Sequence, residues 1–188
     1  MKQMLKTTLI RLRMFGADLK GSLSVETVLI FPVLSWCYIA MFIYFDAFRA
    51  QSTNLKAAYT ISDMLSRELD PVNASYLDGL NQVFDYLTNT AKPTWIRVTV
   101  VTWDDTNKVF KVQWSHATKN RPSLTNATIS QISDQIPVMP EADSVIVVET
   151  TMAYEPAFSV GLGAFTFDNL VVTRPRFAGQ LKWVSPIS

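Results

Sequence analysis

Side chains able to carry enzyme chemistry are sparse in this 188-residue sequence. It holds one histidine, His116, and one cysteine, Cys37. A nucleophile–base pair needs a positioned Ser or Cys beside the base and an acid that orients the base. Ser115 adjoins His116 in Trp114-Ser-His-Ala117, but neighbours on a strand point to opposite faces, so adjacency does not pair them. Cys37 sits in an apolar run, where it serves as a small apolar residue. The sequence contains no P-loop, G-x-S-x-G, H-E-x-x-H or dinucleotide fingerprint, and its carboxylates are too scattered to nominate an acid–base pair. Asp104-Asp105 lacks the D-x-D-x-D-G spacing and distal Glu of a calcium loop, so a polar turn is expected there. The expectation is a chain with no catalytic, cofactor or metal site.

The residue whose position demands a reason is Glu26. It directly precedes Thr27–Phe45, nineteen residues without a charge. A carboxylate at the head of a membrane helix is costly unless it reaches the headgroups or finds a partner. At headgroup level it would complement the positive end of the helix dipole. Away from the headgroups it would need a partner.

Nineteen helical residues cover about 28 Å, close to a bilayer core of roughly 30 Å. Tyr38 and Tyr44 followed by Asp46 suit the far interface. Lys2, Lys6, Arg11, Arg13 and Lys20 precede the run, which places the N-terminus in the cytoplasm and everything beyond Asp46 across the membrane. A cleaved secretory signal is disfavoured, because the run exceeds the usual 7–15 residues and Ala47-Phe48-Arg49 is not an A-x-A-like site. Bulky Trp36 before Cys37 disfavours a lipoprotein site. Pro32, five residues into the run, cannot donate to the Val28 carbonyl, so a kink is expected there.

The balance of 17 Lys+Arg against 16 Asp+Glu hides an asymmetry. Residues 1–21 carry a net +4, and the remaining 167 carry a net −3. A nucleic-acid-binding domain would need the opposite on its folded part, so no nucleic-acid partner is expected. One Cys and one His exclude a disulfide framework and leave no ligand set for structural zinc.

The junction Gly21-Ser-Leu-Ser-Val-Glu26-Thr-Val-Leu-Ile-Phe-Pro32 resembles the processing site of type IV prepilins: a basic leader, a Gly, a Glu five residues later and an apolar helix. The 21-residue leader, the Ser at position 22 and the early Pro are similar to the TadE-like minor pseudopilins of the tight-adherence (Tad, or Flp) pilus system. Thr27 departs from that pattern, where an aromatic or small apolar residue usually follows the Glu. The stretch from Val145 to Tyr154-Glu-Pro156, followed by Val171-Val-Thr-Arg-Pro-Arg176, resembles the ending of such proteins. This resemblance implies that prepilin peptidase cuts after Gly21 and frees the Ser22 amino group to meet Glu26 of a neighbouring stem. It also implies a bacterial inner-membrane protein with a periplasmic head and no enzyme activity. Its partners would be other pilins and pseudopilins, the peptidase and the inner-membrane assembly platform. Arg174 and Arg176 are candidate head contacts.

The expected layout is a leader at 1–21, a transmembrane helix at 22–46 and an α+β head at 47–188. The membrane helix should continue into the head through a stripe at Leu55, Ala58, Ile61, Leu65 and Leu69, ended by Asp70-Pro71. A second helix from Ala74 to Asn89, capped by Asn73, should turn Leu77, Leu80, Phe84 and Leu87 inward. A hairpin follows, with Ile96, Val98 and Val100 on one strand and Phe110, Val112 and Trp114 on the other. A short helix around 128–135 carries Ile129, Ile132 and Ile136. Buried strands are expected at Val145–Val148 and Leu170–Val172, with a last one near Leu181–Val184. The sequons at Asn73 and Asn126 are read as helix caps. The order suggests helices on a small antiparallel sheet, and the resemblance implies a pilin-like form of it. The alternative is a single-span envelope protein whose external domain binds or hydrolyses a ligand.

Overall fold

The computed structural model describes residues 19–184 apart from residue 142, with side chains from residue 24 onward. The predicted leader therefore lies outside the described residues as far as residue 18. The chain is α+β, with one long apolar N-terminal helix and a four-stranded antiparallel sheet. Two compact units emerge: residues up to Phe45 group with 157–162, and the head comprises Asp46–Pro156 with the residues from Gly163 onward.

Helix α1 runs from Leu19 to Arg67, with Pro32 inside it. Arg67 in its last turn complements the negative end of the helix dipole. The backbone N–H of Arg176 donates to the Ser66 carbonyl at 2.7 Å and satisfies one of the carbonyls that a helix end leaves open. The predicted stripe is corrected at both ends. Ala58, Ile61 and Leu65 are fully buried, but Leu55 is exposed and Leu69 lies beyond the helix and is exposed. Asn54 takes the place expected for Leu55, fully buried, with its Nδ2 donating to the Phe167 carbonyl at 3.4 Å. Positions 54, 58, 61 and 65 follow helical spacing better than 55 does, so geometry overrode the apolarity of Leu55.

Helix α2, Ala74–Thr88, is capped as expected: the Asn73 side chain accepts from the Tyr76 N–H at 2.9 Å. Asn89 closes it in the left-handed region at φ 48°. Leu77, Leu80 and Phe84 are buried, whereas Leu87 is exposed. The buried face instead includes Asn81. Its Nδ2 donates to Thr94 Oγ1 at 3.3 Å and Asp85 Oδ2 at 3.2 Å, and its Oδ1 accepts from Thr118 Oγ1 at 2.9 Å. Thr118 Oγ1 also accepts from the Ile96 N–H at 3.1 Å, so one amide ties α2 to the sheet.

Strands β1 (Thr94–Asp104), β2 (Val109–Ala117), β3 (Ser144–Tyr154) and β4 (Phe165–Thr173) form a sheet in the order β2-β1-β3-β4. Every pairing is antiparallel. Residues opposite one another share a face, so Val98 with Val148 and Val100 with Ile146 lie on one side, and Val101 with Val145 on the other. The second side is covered by Leu124, Ile129, Ile132, Ile136 and Met139, which pack with Val101, Phe110, Val145 and Val147. The expected short helix there is two 3₁₀ turns, Ile129–Gln131 and Ser133–Gln135; Ile129 in the first, Ile132 between them and Ile136 after the second are all buried.

The predicted single face for Phe110, Val112 and Trp114 is also corrected. A bulge places Trp114 opposite Val100 but Val112 opposite Val101, so Trp114 falls on the other side of the sheet. There its Nε1 donates to the Leu181 carbonyl at 2.8 Å, and its ring packs against Trp183. The expected last strand reduces to one parallel bridge between Val72 and Trp183. Asn126 caps no helix. Its Oδ1 accepts from the Val112 N–H at 2.7 Å, occupying a donor of the edge strand.

Asn81→Ala strands the partners of a buried amide, so it should lower unfolding free energy by about 1–3 kcal/mol. Denaturant unfolding of the full chain in detergent, beside an exposed Gln82→Ala control on the same helix, measures this.

Candidate functional site: the apolar stem

The stem is the part of α1 ahead of the head. It is apolar on every side: Val28, Leu29, Phe31, Leu34, Trp36, Tyr38, Met41, Phe42 and Phe45 are all exposed, at angles that circle the helix. A core helix of a soluble domain hides such residues, whereas only 6% of this segment's most apolar 18 residues are buried. This helix is long and apolar enough to cross a membrane. In lipid its backbone groups are satisfied within the helix itself. Cys37 is exposed on this surface, as a lipid-facing residue would be.

Gly21 and Ser22, the expected processing site, fall within the helical backbone, which begins at Leu19. Glu26 follows just over one turn after Ser22 and is exposed. The carboxylate therefore stands on the surface of the stem, open to groups outside this chain or to the headgroup layer.

Where the apolar run ends, Asp46 accepts a hydrogen bond from Tyr154 Oη at 3.0 Å. Tyr154 is the last residue of β3, and Phe165 and Phe167 of β4 flank its ring at 5.3 and 5.6 Å. Burial, and then the hydrogen bond to Asp46 and its negative charge, push the Tyr154 hydroxyl up to about 12. Sequence reading marked Tyr154 by its neighbourhood and Asp46 as the end of the span. It had no means to join two residues 108 apart.

The remaining sequence candidates lie in the head. Arg174 pairs with Asp143 at 3.0 Å and Arg176 with Asp63 at 3.1 Å, so both guanidinium groups brace the head while staying more than half exposed. His116 stacks on Trp183 with ring centres 4.9 Å apart, while Ser115 Oγ lies 2.8 Å from Thr99 Oγ1 on the opposite face of the sheet. Asp104 accepts from the Thr106 and Asn107 N–H groups at 3.0 Å and pairs with Lys111. Lys111 and Asn107 hold the Asp104 carboxyl well below the usual carboxylate range. Asp105 pairs with Lys108 at 2.6 Å, so the acidic pair is consumed by its own turn. Among the described residues no group of His, Cys, Asp and Glu is placed to hold a metal ion. An open groove of about 680 Å³ lies between β2 and the 3₁₀ turns, lined by Trp103, Phe110, Ile129, Ile136 and Val138 among others.

No protein-family model, no curated protein and no solved structure matches the chain.

The hydroxyls of Tyr154 and Tyr76 are both raised to about 12, Tyr76 by burial and by its bond to Glu68. Each group keeps its proton longer in the folded state. The stability it contributes is therefore full below pH 10 and is lost as pH rises through about 12. Tyr154→Phe should reduce this loss between pH 10 and 12, and the Tyr76→Phe/Tyr154→Phe pair should reduce it further. Chemical denaturation across that range reads the effect.

Proposed function

We propose that this chain is a TadE-like minor pseudopilin that takes part in assembling tight-adherence (Flp) pili in a bacterial inner membrane. The observation that carries the reading is the junction Gly21-Ser-Leu-Ser-Val-Glu26. It heads an uncharged helix that is apolar on every side and runs on into an α+β head. Along most of its length the other described residues leave that helix uncovered, which suits a stem that packs among other stems.

In this reading the leader stays in the cytoplasm and prepilin peptidase cuts after Gly21, where no side chain obstructs the scissile bond. The stem remains in the membrane and the head stands on the periplasmic side. The new Ser22 ammonium of one subunit meets Glu26 of its neighbour. Two opposite charges in a dry stem bundle tolerate burial when they meet and oppose it when they miss, so the pair selects one axial register. Pro32 loosens the helix a turn and a half beyond Glu26 and lets the stem adapt to its neighbours. The function is helix packing and assembly, without an active site or cofactor. The groove beside β2 supports a second reading, a single-span envelope protein whose head binds a ligand.

Intact mass spectrometry of the membrane-extracted protein, made with and without its prepilin peptidase, separates the two. A peptidase-dependent product starting at Ser22 is expected, and an unprocessed chain would sink the pseudopilin reading. Glu26→Ala should still be processed but should lower recovery with co-expressed pilins by about tenfold, the equivalent of about 1.4 kcal/mol of lost association.

A further inference from the structure

The loop joining β3 to β4 has a composition unlike the rest of the head surface. From Pro156 through the loop to Phe167 in β4 the chain runs Pro-Ala-Phe-Ser-Val-Gly-Leu-Gly-Ala-Phe-Thr-Phe, twelve residues without a charge, bounded by Glu155 and Asp168. Its central part, Ala157–Leu162, groups with the apolar helix rather than with the sheet it connects. Gly161 holds φ at +94°, a turn conformation that glycine supplies without strain. A side chain added there would meet the Tyr44 hydroxyl at 3.9 Å, so the loop's turn lies beside Tyr44. Val160 is buried, and so is Ile43, next to Tyr44, whereas Met41, Phe42, Tyr44 and Phe45 on the same helix are exposed. Phe158, by contrast, is 63% exposed.

Tyr44 is one residue from the end of the uncharged run, the level at which a spanning helix meets the headgroups. A loop held against that level with a bare phenylalanine places an aromatic side chain where interfacial aromatics gain most. We propose that the β3–β4 loop is a second membrane contact, with Phe158 inserted into the headgroup–acyl boundary of the bilayer that α1 crosses. The occupant is lipid, and the loop's lack of basic residues makes the contact indifferent to anionic lipid. The contact rests on α1 being a span and is independent of what the stem assembles with.

The test uses the full chain in phosphatidylcholine vesicles at low protein-to-lipid ratio. An environment-sensitive NBD label is placed at Cys37, or, in a Cys37→Ser background, at Ser159→Cys beside the intact Phe158. Thr106→Cys in the exposed β1–β2 turn serves as the water reference. The label at 159 should emit to the blue of the label at 106. It should be quenched more by nitroxide lipids labelled near the headgroup than by lipids labelled mid-chain, and adding phosphatidylglycerol should change neither. Phe158→Asp should return the label at 159 toward the emission seen at 106. Emission at 159 equal to that at 106, with Cys37 quenched by mid-chain nitroxide, would overturn the loop contact and leave the span intact. Blue emission at 159 that depends on protein concentration and ignores nitroxide lipid would assign the loop to a second copy instead. A Cys37 label untouched by any nitroxide lipid would overturn both the span and the loop contact.

Discussion

Every peptide unit carries a donor and an acceptor, and an apolar solvent offers neither a partner. An uncharged segment that leaves water must therefore satisfy its own backbone, and a helix is the form in which one isolated segment does so. The uncharged run of α1, Thr27–Phe45, meets that constraint. Its all-round apolar surface coexists with a continuous helix that holds Pro32 inside it, and the first charge after the run, Asp46, is met by a tyrosine hydroxyl. Beyond Asp46 the same helix works under a different rule. It needs only one dry face, and Asn54, Ala58, Ile61 and Leu65 supply it.

The head solves a separate problem, which is to bury both faces of a four-stranded sheet with few elements. One face meets α2 through the Asn81–Thr94–Thr118 network and carries Trp114 toward the residues around Leu181. The other is closed by a connection with little regular structure, in which three isoleucines and Leu124 do the packing. Arg97 and Glu149 cross this side as a bidentate pair at 2.6 and 2.7 Å, largely shielded from water. Paired charges in that setting help fix one register between β1 and β3, because a slip of one residue would separate them.

What could be read from the sequence was whatever depends on local pattern. The uncharged run, the Asn73 cap, the hairpin around Asp104-Asp105 and the strands at Val145–Val148 and Leu170–Val172 each carry their signal within a dozen residues. The failures share a cause. Leu55 was assigned to the core because it is apolar, but helical spacing turned Asn54 inward, where its amide nitrogen donates to a carbonyl of β4. Trp114 changed face because one extra residue in β2 reset the alternation, and nothing in the alternation itself announces a bulge. Asn126 sits in a sequon that also suits a cap, yet its partner is the Val112 amide, fourteen residues upstream. Of the candidate site, Glu26 and the uncharged run are local and were visible, whereas the pairing of Asp46 with Tyr154 and the placing of the β3–β4 loop beside Tyr44 are products of tertiary structure.

The closure at the C-terminal end of α1 has a temporal meaning. The Ser66 carbonyl receives its donor from Arg176, and the Val72 backbone pairs with that of residues 182–184. Each of these bonds joins residues about 110 apart in sequence. A ribosome releases Ser66 and Val72 well before it releases their partners, at about 5–20 residues per second. For at least several seconds the C-terminal end of α1 and the approach to α2 wait with open backbone groups, while the β1–β2 hairpin can already form from neighbouring residues. The head is thus completed late and from its far end, after the stem has long since emerged.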